Sequence, residues 1–124
     1  MKPTSSADVG VLTAIVDAIQ QVQVERPMPA SHIQALLLVA SREDKGITTQ
    51  ELVDALHMDQ SGVKRILDGL SRYGRSNTGD GLDWVYSIDD PQSRARKLFL
   101  LTAKGRNKVQ NMVRCFNIPH HGSK

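Results

Sequence analysis

The chain has 124 residues, a formal net charge of +3 at pH 7 and one cysteine. Hydrophobic residues make up 40% and charged residues 23%, which is typical of a globular domain with its own core. No apolar run approaches the roughly 18 residues of a membrane span, and the N-terminus shows no signal-peptide pattern. A single cysteine excludes an internal disulfide framework, so we expect a cytoplasmic protein without membrane contact.

Helical periodicity dominates the first third of the chain. Apolar residues recur every three or four positions from Leu12 to Val22, which predicts one amphipathic helix over residues 7–24. The prolines of ERPMP then disfavour helix in the residues before them. The segment IQALLLVA is apolar nearly all round, which predicts a buried helix over residues 30–42.

The next two segments predict a pair of short helices joined by a tight turn. In ITTQELVDAL, Thr48 and Glu51 have the spacing of a capping box, which predicts a third helix. After the turn HMD, Asp59 can cap a fourth helix that we expect to end at Gly74. This arrangement is a helix-turn-helix, whose second helix lies in the major groove of DNA.

Two β-prone runs follow. WVYSI and KLFLL flank the polar segment DDPQSRAR, which predicts a hairpin, and a hairpin after a helix-turn-helix is a wing. Thr102 can cap a last helix, TAKGRNKVQNMVRCF, in which Gly105 weakens the first turn. We expect the tail from residue 117 onward to be disordered.

The segment DPQSRARKLFLLTAKG resembles the wing of the MarR-type winged-helix transcription regulators, which runs D-P-x-D-R-R-x-x-x-x-x-L-T-x-K-G, without a gap. LHMDQSGVKRILDGLSRYG is similar to the recognition helix of that family in the same register, and MPASHIQALLLVA to the helix before it. The resemblance covers residues 28–105. It implies a homodimeric, sequence-specific regulator, in our prediction a repressor, that binds near-palindromic double-stranded DNA.

The predicted fold is therefore mainly α with a small β-hairpin: a winged helix-turn-helix with N- and C-terminal helices for dimerisation. We expect the DNA-binding domain to span residues 28–101. An N-terminal dimerisation helix and linker precede it in residues 1–27. A C-terminal helix and disordered tail follow it in residues 102–124.

The recognition helix carries residue types that suit base recognition, since Gln pairs with adenine and Arg or Lys with guanine. The resemblance assigns the minor-groove contact of the wing to Arg94. Ser93 and Ala95 stand where the family has an aspartate and a second arginine, and Arg96 restores the charge one residue later. The predicted DNA-binding residues are Thr49, Gln60, Ser61, Gly62, Lys64, Arg65, Arg72, Arg94, Arg96 and Lys97.

The resemblance also implies a dimer interface on the two terminal helices and control by a small-molecule effector. The predicted interface residues are Leu12, Ile15, Val16, Ile19, Val109, Met112, Val113 and Phe116.

Other interpretations stay open at this point. A charged helix face is more often a solvated surface than a binding site. The modest net charge and the altered wing also fit a winged-helix module that binds a protein of the transcription or replication machinery. The histidines, Cys115 and the carboxylates show no metal-ligand spacing, and neither a phosphate loop nor a Ser/His/Asp set occurs. We therefore expect no enzyme and no cofactor.

Overall fold

The computed structural model describes residues 6–23, 28–71 and 81–121. These residues form five α-helices and an antiparallel β-hairpin, which confirms the predicted mainly α winged helix-turn-helix architecture. The chain divides into two compact units. The terminal unit comprises Met1–Met28 and Lys108–Lys124, and the winged unit comprises Pro29–Asn107.

The terminal unit contains α1 (Ser6–Gln23) and most of α5 (Ala103–His121). The Gln23 side-chain amide closes the end of α1, because it donates to the Met28 carbonyl at 3.0 Å and accepts from the Met28 N–H at 2.9 Å. The two helices are joined where Lys108 Nζ donates to the Gln21 carbonyl at 3.3 Å.

Helix α1 carries two apolar stripes where the sequence predicts one. Ala14, Ala18 and Val22 are buried, whereas the residues from Leu12 to Ile19 that were expected to share a stripe with Val22 are exposed. The difference arises because small residues form the buried stripe, and alanine gives a weak signal in a hydrophobic pattern.

Helix α5 is longer than predicted. It continues to His121, so the expectation that the chain is disordered from residue 117 is wrong as far as His121. The predicted apolar face ends at Phe116, but extending an established helix costs far less than starting one. No helix in the described ranges is long and apolar enough to cross a membrane.

The winged unit is built around three helices. Helices α2 (Ala30–Ser41), α3 (Thr49–Leu56) and α4 (Gln60–Leu70) pack against one another. Their largest apolar side chains are fully buried, and at about 25 cal/mol per Å² this burial is the main favourable contribution to the stability of the unit. The fully buried residues include Leu36, Val39, Leu52, Val63, Leu70 and Trp84.

The start of α3 confirms the predicted capping box. Thr48 Oγ1 accepts the Glu51 N–H at 3.1 Å, and Glu51 Oε1 accepts the Thr48 N–H at 3.0 Å. Arg42 adds an ion pair to Glu51 Oε2 at 2.8 Å. The Thr48 N–H, and then the Arg42 guanidinium, hold the pKa of the Glu51 carboxyl below its ordinary value of 4.5, against the opposing effect of partial burial.

The turn of the helix-turn-helix lies at residues 57–59, as predicted. His57 takes the left-handed conformation, with φ of 57°, and ends α3. Asp59 then caps α4. Helix α4 ends at Leu70, before the predicted Gly74, because Ser71 is extended and forms a parallel bridge with Val85.

The hairpin is longer and its turn is tighter than predicted. Strand β1 (Val85–Asp90) pairs with β2 (Ser93–Leu101), and only Pro91 and Gln92 lie between them. Arg94 and Arg96 therefore lie on β2 and not in a long loop. The physical reason is the Asp90 carboxylate, which accepts the Gln92 N–H at 2.9 Å and closes the turn. Ile47 and Phe99 exchange backbone hydrogen bonds, so a third short segment joins the sheet.

Candidate nucleic-acid interface

The first turn of α4 presents its polar residues to solvent. Asp59 Oδ1 accepts the Gly62 N–H at 2.8 Å and the Ser61 hydroxyl at 3.2 Å. Such a cap contributes about 1 kcal/mol to helix stability. Gln60 and Ser61 are both exposed, so the side chains predicted to reach base edges are accessible to a ligand. Their contact with DNA stays a prediction.

Gly62 has a structural role within the winged unit. A Cβ at this position would lie 2.9 Å from Met58 Cε and 3.0 Å from Asp59 Oδ1. The missing side chain therefore makes room for Met58 and Asp59 in the turn between α3 and α4. The predicted contact of Gly62 with DNA stays a prediction.

The two cations of α4 differ in their surroundings. Lys64 Nζ lies 3.5 Å from Asp68 Oδ2, one helical turn away, and the Lys64 side chain is 76% exposed. Arg65 is exposed and forms no ion pair with any described residue. Arg65 is therefore the cation of α4 whose charge no described carboxylate offsets.

The cations of the hairpin show the same division. Arg96 Nη2 lies 3.2 Å from Asp90 Oδ2, and Lys97 Nζ lies 2.7 Å from Asp89 Oδ1. Arg94 is exposed and forms no ion pair within the described part of the chain. Two of the three predicted wing cations are thus paired, and Arg94 is the one left for an external anion.

A groove of about 590 Å³ separates α4 from the hairpin. Thr49 is half-buried and lines it, together with Lys64 from α4 and Lys97 from the hairpin. The predicted residue Arg72 lies outside the described residues. Other polar residues that line the groove are Asp68, Ser71, Asp83, Tyr86 and Ser87.

Sequence reasoning missed the role of the two aspartates. The sequence places Asp89 and Asp90 only in the polar segment of the predicted hairpin, yet each pairs with a cation of β2. The sequence contained part of the signal, because antiparallel pairing across a short turn brings residues on the two sides of DDPQ together. Asp89 is opposite Lys97 because the register of the hairpin shifts between Asp89 and Asp90.

The predicted dimer-interface residues all lie in the terminal unit. Val109 is half-buried and Met112 is buried, at 4% exposure. Both are therefore covered within a single chain. The other members are exposed large apolar residues: Leu12, Ile15, Val16, Ile19, Val113 and Phe116.

In the described ranges, no group of three or more His, Cys, Asp or Glu side chains is arranged to bind a metal ion.

The candidate site consists of an exposed polar helix start, a neighbouring hairpin and cations on both. In winged helix-turn-helix domains that bind DNA, a helix start and a hairpin placed in this way face the DNA. For this chain that contact stays a prediction.

Compared with known proteins, the chain matches no family model and no curated protein by sequence. Its structure, however, is similar to solved MarR-family winged-helix regulators, and the chain has their fold. S. aureus MepR in its DNA complex superposes with a TM-score of 0.68 at 18% identity, over 91% of this chain and 81% of MepR.

Two further solved structures show the same likeness. RV1404 from Mycobacterium tuberculosis has a TM-score of 0.68 at 19% identity, covering 94% of this chain and 70% of its own. The transcriptional regulator Tm0710 from Thermotoga maritima has a TM-score of 0.69 at 15% identity, covering 90% of this chain and 70% of its own.

Proposed function

We propose that the protein is a homodimeric, sequence-specific DNA-binding regulator of transcription that acts in the cytoplasm as a repressor. Helix α4 enters the major groove and the hairpin contacts the adjacent minor groove. The observation that carries this proposal is the pair Arg65 and Arg94. Both are exposed, and neither has a described carboxylate partner, although other cations of the same elements do.

The comparison with MepR supports DNA as the ligand, because that protein was solved as a DNA complex and shares the fold of this chain. A protein that occupies a promoter excludes other proteins from it by its volume alone, which is the simplest basis for repression.

The exposed apolar residues of α1 support the homodimer. Leu12 is 55% exposed and Val16 is 53% exposed, one helical turn apart on the same face. Large apolar side chains grouped on one helix face are typical of a protein–protein interface. A second copy of the chain presents an identical face, and two-fold pairing buries both.

Charge-matched variants test the proposed DNA contacts. Arg65→Ala and Lys64→Ala each remove one positive charge from α4, so a purely nonspecific attraction would weaken equally in both. We expect Arg65→Ala to cost about 1–3 kcal/mol at the cognate site and to relax sequence preference. Lys64→Ala should cost much less, because Asp68 already offsets part of its charge. Fluorescence anisotropy with a selected duplex and a scrambled duplex at ~0.1 M salt measures both.

The hairpin offers a second matched pair. Arg94→Ala should weaken binding and lower the slope of log K against log salt by about one unit, because a minor-groove arginine displaces a counterion. Lys97→Ala removes the same charge from the same strand and should change the slope less, since Asp89 is its partner. Equal effects of Arg94→Ala and Lys97→Ala would contradict the assigned contact.

A protein-binding module is a second candidate because the hairpin exposes two apolar side chains. Tyr86 is 46% exposed and Ile88 is 43% exposed, and both lie on the same face of β1. This function would be favoured if a stoichiometric complex with purified RNA polymerase survived high salt, was lost in Tyr86→Ser and Ile88→Ser, and no duplex was enriched by selection.

A further inference from the structure

Asp90 is the one buried charged residue in the ranges that the structure describes, at 8% exposure. It lies at the end of β1, where the hairpin turns. Its Oδ1 accepts the Gln92 N–H at 2.9 Å, and its Oδ2 pairs with Arg96 Nη2 at 3.2 Å. Burying a carboxylate is costly unless it is paired and hydrogen-bonded, and here both oxygens have a partner.

The same residue lies beside an irregularity in the sheet. Asp89 is opposite Lys97, but Asp90 is opposite Ser93, so residues 94–96 have no partner on β1. Extra residues in one strand leave the regular hydrogen-bond ladder and change where side chains point. Something other than cross-strand hydrogen bonds must therefore hold this segment in one conformation.

Asp90 contacts the chain on both sides of Arg94. Gln92 precedes that arginine and Arg96 follows it, and the Asp90 carboxylate binds both. Arg94 itself is exposed and has no ion pair with a described residue. The contacts of Asp90 thus fix the two ends of the segment whose middle presents Arg94 to solvent.

The geometry points to Asp90 as a positioning residue for DNA binding: its carboxylate holds Gln92 and Arg96 so that the wing presents Arg94 to the minor groove. This inference rests on the proposed function. Ser93, next to Arg94, has no carboxylate to orient that arginine, so the positioning charge comes from the opposite strand.

Asp90→Asn should change the affinity for DNA in the direction opposite to that expected from charge alone. Replacing Asp90 with Asn removes a negative charge from a surface that faces DNA, so Coulomb attraction alone would make binding tighter. Loss of the Arg96 ion pair would instead let the segment move and make binding weaker. Asp89→Asn is the matched control, because it removes the same charge from the adjacent, exposed position.

Anisotropy titrations of a selected duplex over a series of salt concentrations measure the effect. We expect Asp90→Asn to weaken binding about ten-fold and to lower the salt slope towards that of Arg94→Ala, while Asp89→Asn binds as tightly as the parent or more tightly. In the Arg94→Ala background, Asp90→Asn should no longer weaken binding. Parent-like or tighter binding by Asp90→Asn, or an effect that adds fully to that of Arg94→Ala, would overturn the inference.

Hydrogen exchange of the backbone amides in residues 92–97 tests the positioning without DNA. Asp90→Asn should raise the exchange rates there about ten-fold over those of Asp89→Asn, with the helices unchanged. Arg96→Gln breaks the same ion pair from its exposed side and should give the same increase, even if Asp90→Asn does not fold. Unchanged rates in the variants would refute the role of Asp90. If the variants exchange faster but the parent protein binds no DNA, the proposed function is refuted, while the role of Asp90 in holding the segment stands.

Discussion

Gly105 is the residue at which one added methyl group should disturb the winged unit most clearly. Helix α5 begins against the backbone of Trp84, whose carbonyl accepts the Thr102 N–H at 3.0 Å. Thr102 in turn caps the helix by accepting the Gly105 N–H at 3.0 Å. A Cβ at Gly105 would lie 2.8 Å from the Trp84 carbonyl carbon and 3.0 Å from its Cα, in addition to overlapping the carbonyl oxygen.

The magnitude follows from two opposing contributions. Alanine in place of a helical glycine favours the helix by about 1 kcal/mol. Overpacking costs about 1–3 kcal/mol, and the upper end applies here because the clash is with backbone that cannot rotate away. We therefore expect Gly105→Ala to lower the free energy of unfolding by about 2 kcal/mol.

Gly69 supplies the matched control. It is also helical and buried, but among the described residues a Cβ there would meet only His32 Nε2, at 3.9 Å. Gly69→Ala should therefore raise the free energy of unfolding by about 0.5–1 kcal/mol, the propensity gain without a clash. Urea denaturation followed by circular dichroism, at one protein concentration for all variants, gives both values. A Gly105→Ala variant as stable as the parent would refute the packing argument.

Two further predictions concern stability and assembly. Because the pKa of Glu51 is lowered in the folded state, its charge stabilises the fold above pH 4.5, and that stabilisation is lost as the pH falls through the folded-state pKa. The difference in the free energy of unfolding between the parent and Glu51→Gln, measured in urea, should therefore shrink from pH 7 to pH 3. A constant difference would contradict this prediction. Leu12→Lys should convert a dimer to monomers in sedimentation velocity, whereas Asp17→Lys should not, because Asp17 is exposed and lies about 140° around α1 from Leu12. Equal masses for the two variants would contradict the assigned interface.

The sequence predicted those parts of the fold whose causes are local. The capping box of Thr48 and Glu51 depends on residues three apart, so its pattern is visible in the chain. The cap at Asp59 and the turn at His57 have the same local character. The predicted end of α4 at Gly74 was wrong, because Ser71 leaves the helix to pair with Val85, which is distant in sequence.

The candidate site could be predicted by residue type but not by environment. By residue type alone Arg94, Arg96 and Lys97 are alike, and only the family resemblance assigns the minor-groove contact to Arg94. Only the register of the hairpin shows that the last two have carboxylate partners. Register depends on turn geometry and on how the strands pack, neither of which a pattern of charges reveals. The role of Gly105 could not be predicted from the sequence either, because it depends on how closely the backbone of Trp84 lies to this glycine.

In vitro selection from a random duplex library tests the central claim most directly. A homodimer that inserts one α4 per half-site should enrich a near-palindromic sequence with half-sites about one helical turn, ~34 Å, apart. The same selection with Arg65→Ala should lose preference at one base position in each half-site. Recovery of no common sequence by the parent protein at ~0.1 M salt would contradict sequence-specific binding.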